Sequence, residues 1–307
     1  MSDQDRDPAF GQASATPDRA AVVTKVLRWY RRSARDLPWR RPEATPWSIM
    51  VSEFMLQQTP VSRVLEPWRQ WIERWPTPDA LADAPSGEAV RAWGRLGYPR
   101  RALRLHQAAT AIRDRHNGRV PDDYDALLDL PGVGSYTAAA VASFAFRQRH
   151  VVLDTNVRRV QTRVALGVAY PHTSATAAER RLAEEYLPSR AERAARWAVA
   201  SMELGALVCT ARSPRCQECP VRTDCSWYAA GCPAWDGPPR VAQRYDGTDR
   251  QCRGALLAAA RSTDDPVGGE ELLARWPDRR QAERARDSLL SDGLLTTIGE
   301  DRYALPS

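Results

Sequence analysis

The chain has 307 residues, 43% hydrophobic and 27% charged, which suits a folded protein of two or three domains with a buried core. No apolar run reaches the length of a membrane span, and the N-terminus MSDQDRDPAF lacks a basic-then-apolar leader, so a cytoplasmic protein with no membrane partner is expected. The formal charge of +6 suits a polyanionic partner, but in an Ala/Arg-rich chain with one lysine, Lys25, charge alone leaves nucleic-acid binding open.

Residues 1–18 are polar and aperiodic, and read as a disordered tail. From Ala20 to Ala230 apolar residues recur at helical spacing. Helices are expected near 20–33, 47–58, 88–94, 100–116, 122–129, 135–146, 154–167, 175–186 and 190–208. A further one runs from Val61 to Trp75, with Thr59-Pro60 as its cap and first turn and Pro67 as a bend or break. Only HVVLD, around Val152, reads as a strand. The main body is therefore all-α. Residues 232–250 combine Pro, Gly and charge without period and read as a linker. Helical stretches near 253–261, 269–275 and 279–291 then precede a possible hairpin, LLTTIGEDRYAL. That order fits a winged helix or a helical cap packed on the main body.

Four segments carry chemistry. In the first, Leu130-Pro-Gly-Val-Gly134 lies between two helices and leads to Tyr136. Gly132, Val133 and Gly134 turn the chain tightly and present consecutive backbone N–H groups at a helix start, which suits an anion such as a DNA phosphate. A plain helix-to-helix turn is the alternative. In the second, Cys209, Cys216, Cys219 and Cys225 leave six, two and five residues between them. Clustered thiols in a reducing compartment point to iron–sulfur or zinc rather than disulfides. The paired Cys-x-x-Cys units and histidines of structural zinc sites are missing, since His106, His116, His150 and His172 are scattered. Cys232 and Cys252 read as bystanders. Arg212 and Arg215, inside the first inter-cysteine loop, suit DNA phosphates.

In the third segment, VVLDTNVRRV, Asp154 precedes a helix, where it serves as an N-cap whatever else it does, with Asn156 beside it. In the fourth, WSIMVSEFMLQQT, Glu53 is a lone acid in an apolar helix. It either faces solvent or, if buried, is kept protonated by desolvation, as a general acid requires.

Together with GRLGYPRRA at 94–102, and in this order and spacing, these segments resemble the MutY-type adenine DNA glycosylases of the helix-hairpin-helix/endonuclease III superfamily, over residues 24–230. The resemblance implies a helix-hairpin-helix glycosylase fold. A six-helix barrel (47–150) would join an iron–sulfur domain (19–46 and 151–231), followed by a linker (232–252) and a small winged-helix-like unit (253–307). It implies a [4Fe–4S] cluster on the four cysteines and a monomer that acts on double-stranded DNA holding adenine opposite 8-oxoguanine or G. Glu53 would protonate adenine and Asp154 would stabilise the resulting sugar cation. Trp39, Arg40 and Glu203 would shape the base pocket, Gln58 and Tyr98 would wedge the stack, and Thr59 and Leu96 would lie near the opposite base. Tyr136 stands where strand-cutting relatives carry a lysine, so hydrolysis without lyase activity is implied. One departure lies at the C-terminus. The roughly 75 residues after Cys232 are too short and too helical for the family's Nudix-like domain. The alternatives are an endonuclease III-like glycosylase/lyase for oxidised pyrimidines and a non-catalytic iron–sulfur DNA-binding protein.

Overall fold

The computed structural model describes residues 18–237 and 245–307. The expected tail, residues 1–17, and residues 238–244 of the expected linker lie outside these. The helices are α1 (Arg19–Ser33), α2 (Pro46–Leu56), α3 (Val61–Arg74), α4 (Pro78–Ala82), α5 (Ser86–Trp93), α6 (Arg100–His116), α7 (Tyr124–Leu128) and α8 (Ser135–Phe146). Next come α9 (Thr155–Gln161), α10 (Ala177–Glu185), α11 (Ala191–Leu207) and α12 (Ser226–Ala229). The chain ends with α13 (Asp249–Arg261), α14 (Gly269–Leu273), α15 (Arg279–Ser291) and the short strands β1 (Val267–Gly268), β2 (Thr296–Thr297) and β3 (Arg302–Ala304). None of the helices is long and apolar enough to cross a membrane, among the described residues.

The chain divides into two compact units. One comprises the residues up to Pro42 with Ala138–Pro238, the other Glu43–Thr137 with Pro239–Ser307. The division falls inside α8 rather than at residue 150.

In the second unit, α2 starts on Pro46 behind Thr45, whose hydroxyl oxygen accepts from the Ser48 N–H, and it buries every residue from Trp47 to Met55. Indole N–H groups fasten α3 and its C-cap to it, from Trp68 to the Ser48 carbonyl (2.8 Å) and from Trp47 to the Trp75 carbonyl (3.0 Å). α3 runs unbroken through Pro67, contrary to the expected bend. Proline removes only one ladder bond there, while Val64, Trp68 and Trp71 anchor the helix on both sides. Nor does Thr59 cap α3. Its hydroxyl is committed elsewhere, and Pro60 occupies the N-cap. α6 buries Ala102, Leu105, Ala108, Ala109 and Ile112, and ends on Asn117 in the left-handed conformation.

The C-terminal segment follows the helix–strand–helix–helix–strand–strand order of a winged helix, its sheet running β1-β3-β2 with Tyr303 opposite both Val267 and Thr297. It also caps the barrel. The Gly87 N–H donates to the Pro306 carbonyl at 2.7 Å, and Arg261 donates to the carbonyls of Val90 (2.9 Å) and Gly94 (2.7 Å). On α15, Arg280 is exposed while the other three arginines are paired. Arg279 pairs with Glu270 and Glu283, Arg284 with Asp249, and Arg286 with Asp287.

In the first unit, α1, α9, α10, α11 and α12 enclose a core that includes Val22, Val26, Val160, Leu182, Trp197, Leu204 and Trp227. Past Gln161, α9 widens into a π turn over Thr162–Leu166. Residues 150–154, the expected strand, carry no strand assignment among the described residues. Cys232 and Trp235, expected in a linker, pack against this core instead, and the Trp235 ring meets Tyr170 edge-on at 5.8 Å.

Candidate active site and cluster cradle

Glu53 is 5% exposed on the wholly buried stretch of α2, which rules out its reading as a solvent-facing acid. Tyr136, in the first turn of α8, donates its hydroxyl to Glu53 Oε2 at 3.0 Å. The hairpin before it depends on Gly132, with φ +78°, where an added Cβ would come within 2.6 Å of the Arg104 Cβ. At Gly134 an added Cβ would meet nothing within 4 Å, so the approach to its backbone is open. Val133, between them, is buried.

Two loops of the same unit hold non-glycine residues in left-handed backbone, Gln58 (φ 55°) and Tyr98 (φ 48°). Such conformations cost on the order of 1–3 kcal/mol and persist only where the surroundings impose them. Here the surroundings are identifiable. The Thr59 hydroxyl donates to the Leu96 carbonyl at 3.2 Å, joining the loops from beneath, and both residues are buried. Arg101 donates to the carbonyls of Phe54 (3.4 Å) and Gln57, while its guanidinium lies 4.6 Å from the Tyr98 ring centroid. Gln58 and Tyr98 are left exposed on top.

In the other unit, Asp154 caps α9. Its Oδ1 accepts from the Val157 N–H at 2.6 Å and its Oδ2 from the Asn156 amide at 2.8 Å. Burial pushes its carboxyl above the ordinary value, while those two donors and the nearby Arg159 charge act in the opposite direction. Asn156 in turn accepts from Arg159 (2.8 Å), which also donates to the carbonyls of Gly205 and Cys209, both at 2.7 Å. Gly205 has to be glycine for this, since a Cβ there would lie 2.7 Å from the Asn156 Cβ.

Glu203 is fully buried, so it is not a helix-surface acid. Arg35 approaches its two oxygens at 2.8 and 2.6 Å, and Arg40 adds a third guanidinium contact at 2.9 Å. Burial alone would raise this carboxyl, but the two guanidiniums hold it down at about 2, a fixed anion. Trp39, beside Arg40, is buried.

Cys209, Cys216, Cys219 and Cys225 line one cavity together with Val160, Val164 and Trp227. Arg163, 2% exposed, reaches Cys209 Sγ at 3.4 Å and the Thr210 and Ala211 carbonyls, and stacks 4.5 Å from the Trp227 ring. The Cys225 thiol donates to the Arg163 carbonyl at 3.5 Å, at the π turn. The thiols ring the cavity rather than converge on a point: no group of three or more His, Cys, Asp or Glu among the described residues is placed to hold a single ion. Four soft donors around an apolar chamber fit a polynuclear iron–sulfur cluster. Of the two loop arginines, Arg215 is turned onto the Leu207 carbonyl (2.6 Å) and Glu218 (2.9 Å), whereas Arg212 is exposed with no partner among the described residues.

Arg35, Arg101 and Arg163 escaped the sequence reading. Arg35 carried a signal, its closeness to Trp39 and Arg40 in ARDLPWR, but nothing local marked the other two.

Residues 51–185 match the model of the HhH-GPD superfamily base excision DNA repair proteins, and residues 209–225 match the iron–sulfur binding domain of endonuclease III. An adenine DNA glycosylase of Mycobacterium tuberculosis is 53% identical over 296 residues, covering 96% of this chain and 97% of that protein. That of Mycolicibacterium smegmatis is 51% identical over 282 residues, covering 92% and 94%. Among solved structures, a thermostable thymine-DNA glycosylase matches 69% of this chain and 97% of its own at 29% identity, with a TM-score of 0.62. A trapped endonuclease III–DNA covalent intermediate, at 23% identity and TM-score 0.59, shares the fold. The chain carries a [4Fe–4S] cluster, and it belongs to the adenine DNA glycosylase family of helix-hairpin-helix base-excision repair enzymes.

Proposed function

We propose that this enzyme binds double-stranded DNA and hydrolyses the N-glycosidic bond of adenine opposite 8-oxoguanine or G, leaving an abasic site without cutting the strand. The observation that carries the reading is the buried Glu53 carboxyl with the Tyr136 hydroxyl 3.0 Å from it. Adenine has to leave the helix before any side chain can act on it, and strained, exposed Gln58 and Tyr98 are suited to holding the stack open. Burial favours the neutral form of Glu53, which then gives its proton to the base and makes it a better leaving group. Asp154, held rigid by its cap bonds, stabilises the cationic sugar as the bond breaks. Water adds at the sugar carbon, its lost proton balancing the one delivered to adenine.

Tyr136 orients the Glu53 carboxyl, and a phenol cannot form the Schiff base that strand cutting needs. Glu203, clamped as an anion by Arg35 and Arg40, fixes the position of both arginines. Gly132, Gly134 and Arg212 meet backbone phosphates, Arg215 serving to shape its own loop. Cys209, Cys216, Cys219 and Cys225 would hold the [4Fe–4S] cluster, which would supply a redox-active centre when bound. The test uses duplexes with A opposite 8-oxoguanine, G or T, read on gels with and without alkali. Release of adenine from the first two, with breaks only after alkali, is expected. Breaks without alkali that track the enzyme's own activity would refute the monofunctional assignment.

A further inference from the structure

We propose that the groove between α1 and the start of α11 is a second anion site, built for a slim phosphoanhydride chain, either free or as the triphosphate of a nucleotide. It lies within the first unit and shares no residue with the base-excision site.

The groove is a cavity of about 270 Å³. Arg28 and Arg31 line it from α1, and Arg190, Arg193 and Arg196 from α11, with Glu192 as the one acid. That carboxylate is already engaged, by Arg196 at 3.2 Å and by Arg147 at 3.6 Å. Arg28, Arg31 and Arg190 are exposed and make no ion pair among the described residues. The arginine-rich helix α15 is built differently and sets carboxylates against most of its own, as Glu270 and Glu283 answer Arg279. In the groove the cations are gathered and left unanswered.

The rest of the lining organises them. Arg193 donates to the Thr24 hydroxyl at 2.8 Å, which ties α11 to α1 and holds one guanidinium in place without cancelling its charge. Leu27 and Tyr30, half-buried, supply an apolar wall. Like charges collected in a concave site focus a positive field and draw anions into it. Each guanidinium fork can bond phosphate oxygens two at a time.

Shape narrows the ligand further. On each helix the arginines stand three positions apart, roughly 4.5 Å along the axis, so the cations form two short rows rather than one point. Two rows suit a linear polyanion better than a lone phosphate or a carboxylate. Packed helices leave about 8–10 Å between their axes. The major groove of a duplex alone is about 12 Å wide, so double-stranded DNA cannot enter. Arg193 and Glu203 lie roughly 15 Å apart along α11, which keeps the groove clear of the Glu203 clamp.

The experiment titrates the full, cluster-loaded chain calorimetrically in ~0.15 M salt, where diffuse attraction between exposed charges is screened. The probes are inorganic tripolyphosphate and uridine triphosphate, whose base is not the adenine of the excision reaction. One-to-one binding is expected, with orthophosphate at least about tenfold weaker. Arg28→Gln/Arg31→Gln/Arg190→Gln should weaken tripolyphosphate by at least about tenfold and leave adenine release unchanged. Arg115→Gln/Arg119→Gln/Arg280→Gln removes the same charge from exposed positions elsewhere and should change the affinity by less than about twofold. Should the first variant fail to fold, Arg28→Gln alone decides, with an expected loss of about threefold. Equal affinity for the two probes supports a site for the phosphate chain alone, and tighter uridine triphosphate supports one that also holds a base. Absence of saturable binding, or equal weakening in the two triple variants, would overturn the proposal. So would a single-stranded oligonucleotide that binds more tightly than tripolyphosphate and is lost in the first variant, since the groove would then belong to nucleic acid.

Discussion

The two units bury charge in opposite ways. Among the described residues, the first unit buries Arg158, Arg159, Arg163, Glu179 and Glu203, and the second buries Glu53 alone. The five in the first unit meet opposite charges or the carbonyls of loops, Glu203 being held by the less buried Arg35 and Arg40. Arg158 holds Glu179 at 2.8 Å and the carbonyls of His172 and Ser174, while Arg159 and Arg163 hold the stretch from Cys209 to Ala211. Helices α9 and α11 thereby become a frame for a loop with little secondary structure of its own. Glu53 has no such office. Its surroundings on α2 are apolar, and the partner it is seen with is a neutral phenol. Buried charge set among other charges and loop carbonyls reads as scaffold, and a buried acid on an apolar stretch of helix reads as chemistry.

The contrast is broken most sharply by removing charge on each side. Glu53→Gln keeps the shape of the side chain and removes the proton. Single-turnover adenine release should fall by about 10²–10⁴-fold, the usual worth of a positioned general acid, with no drop in thermal midpoint. A rate near that of the parent enzyme would end the assignment. Arg158→Leu should behave in reverse. It strands the Glu179 carboxylate in a site where both side chains are under 10% exposed, costing about 3–5 kcal/mol in urea unfolding. Adding Glu179→Leu should recover much of that loss. A stable single variant would show that the frame does not depend on the pair.

Acid sharpens the comparison without mutation. The Glu203 carboxyl, near 2 in the folded protein against an unfolded value of 4.5, favours the folded state once ionised. Its contribution is complete above pH ~4.5 and is lost as pH falls toward 2, amounting to about 3 kcal/mol at most. Urea midpoints of the parent should therefore fall more steeply than those of Glu203→Gln across that window. Parallel curves would mean that the two arginines do not hold this anion.

How much of this the sequence disclosed follows from how local each feature is. The Glu53, Tyr136, Asp154 and cysteine segments were legible because each is a short run of residues whose types and spacing carry the signal. Helices α6 and α8 were read to the residue, since their apolar period and flanking turns are contiguous. The scaffold was not. Arg35 and Glu203 are 168 positions apart, Arg163 and Cys209 46 apart, and an arginine bound for the core is spelled like any surface arginine in an Arg-rich chain. Strand β1 was missed because two residues hold no period.

The mildest expected effect tests whether a charge in the second unit can also be scaffold. Arg101 spans the two strained loops: its guanidinium donates to the Gln57 carbonyl, one residue before Gln58, and covers the Tyr98 ring. A planar fork can do both at once, whereas the ammonium of lysine keeps the charge but offers no flat face to stack. Arg101→Lys should therefore loosen Gln58 and Tyr98 and lower the yield of extruded adenine, leaving Glu53 and its partner in place. Because displacements of about 1 Å at a reacting group can cost as much as 10²-fold, and these residues act one step back from the chemistry, a loss of about tenfold is expected. It should fall on the fraction of base flipped, followed by 2-aminopurine fluorescence beside the lesion, and should shrink on a mismatch whose adenine is already unstacked. A uniform loss on stacked and unstacked substrates alike, or full activity in the lysine variant, would show that the two loops keep their strain without Arg101.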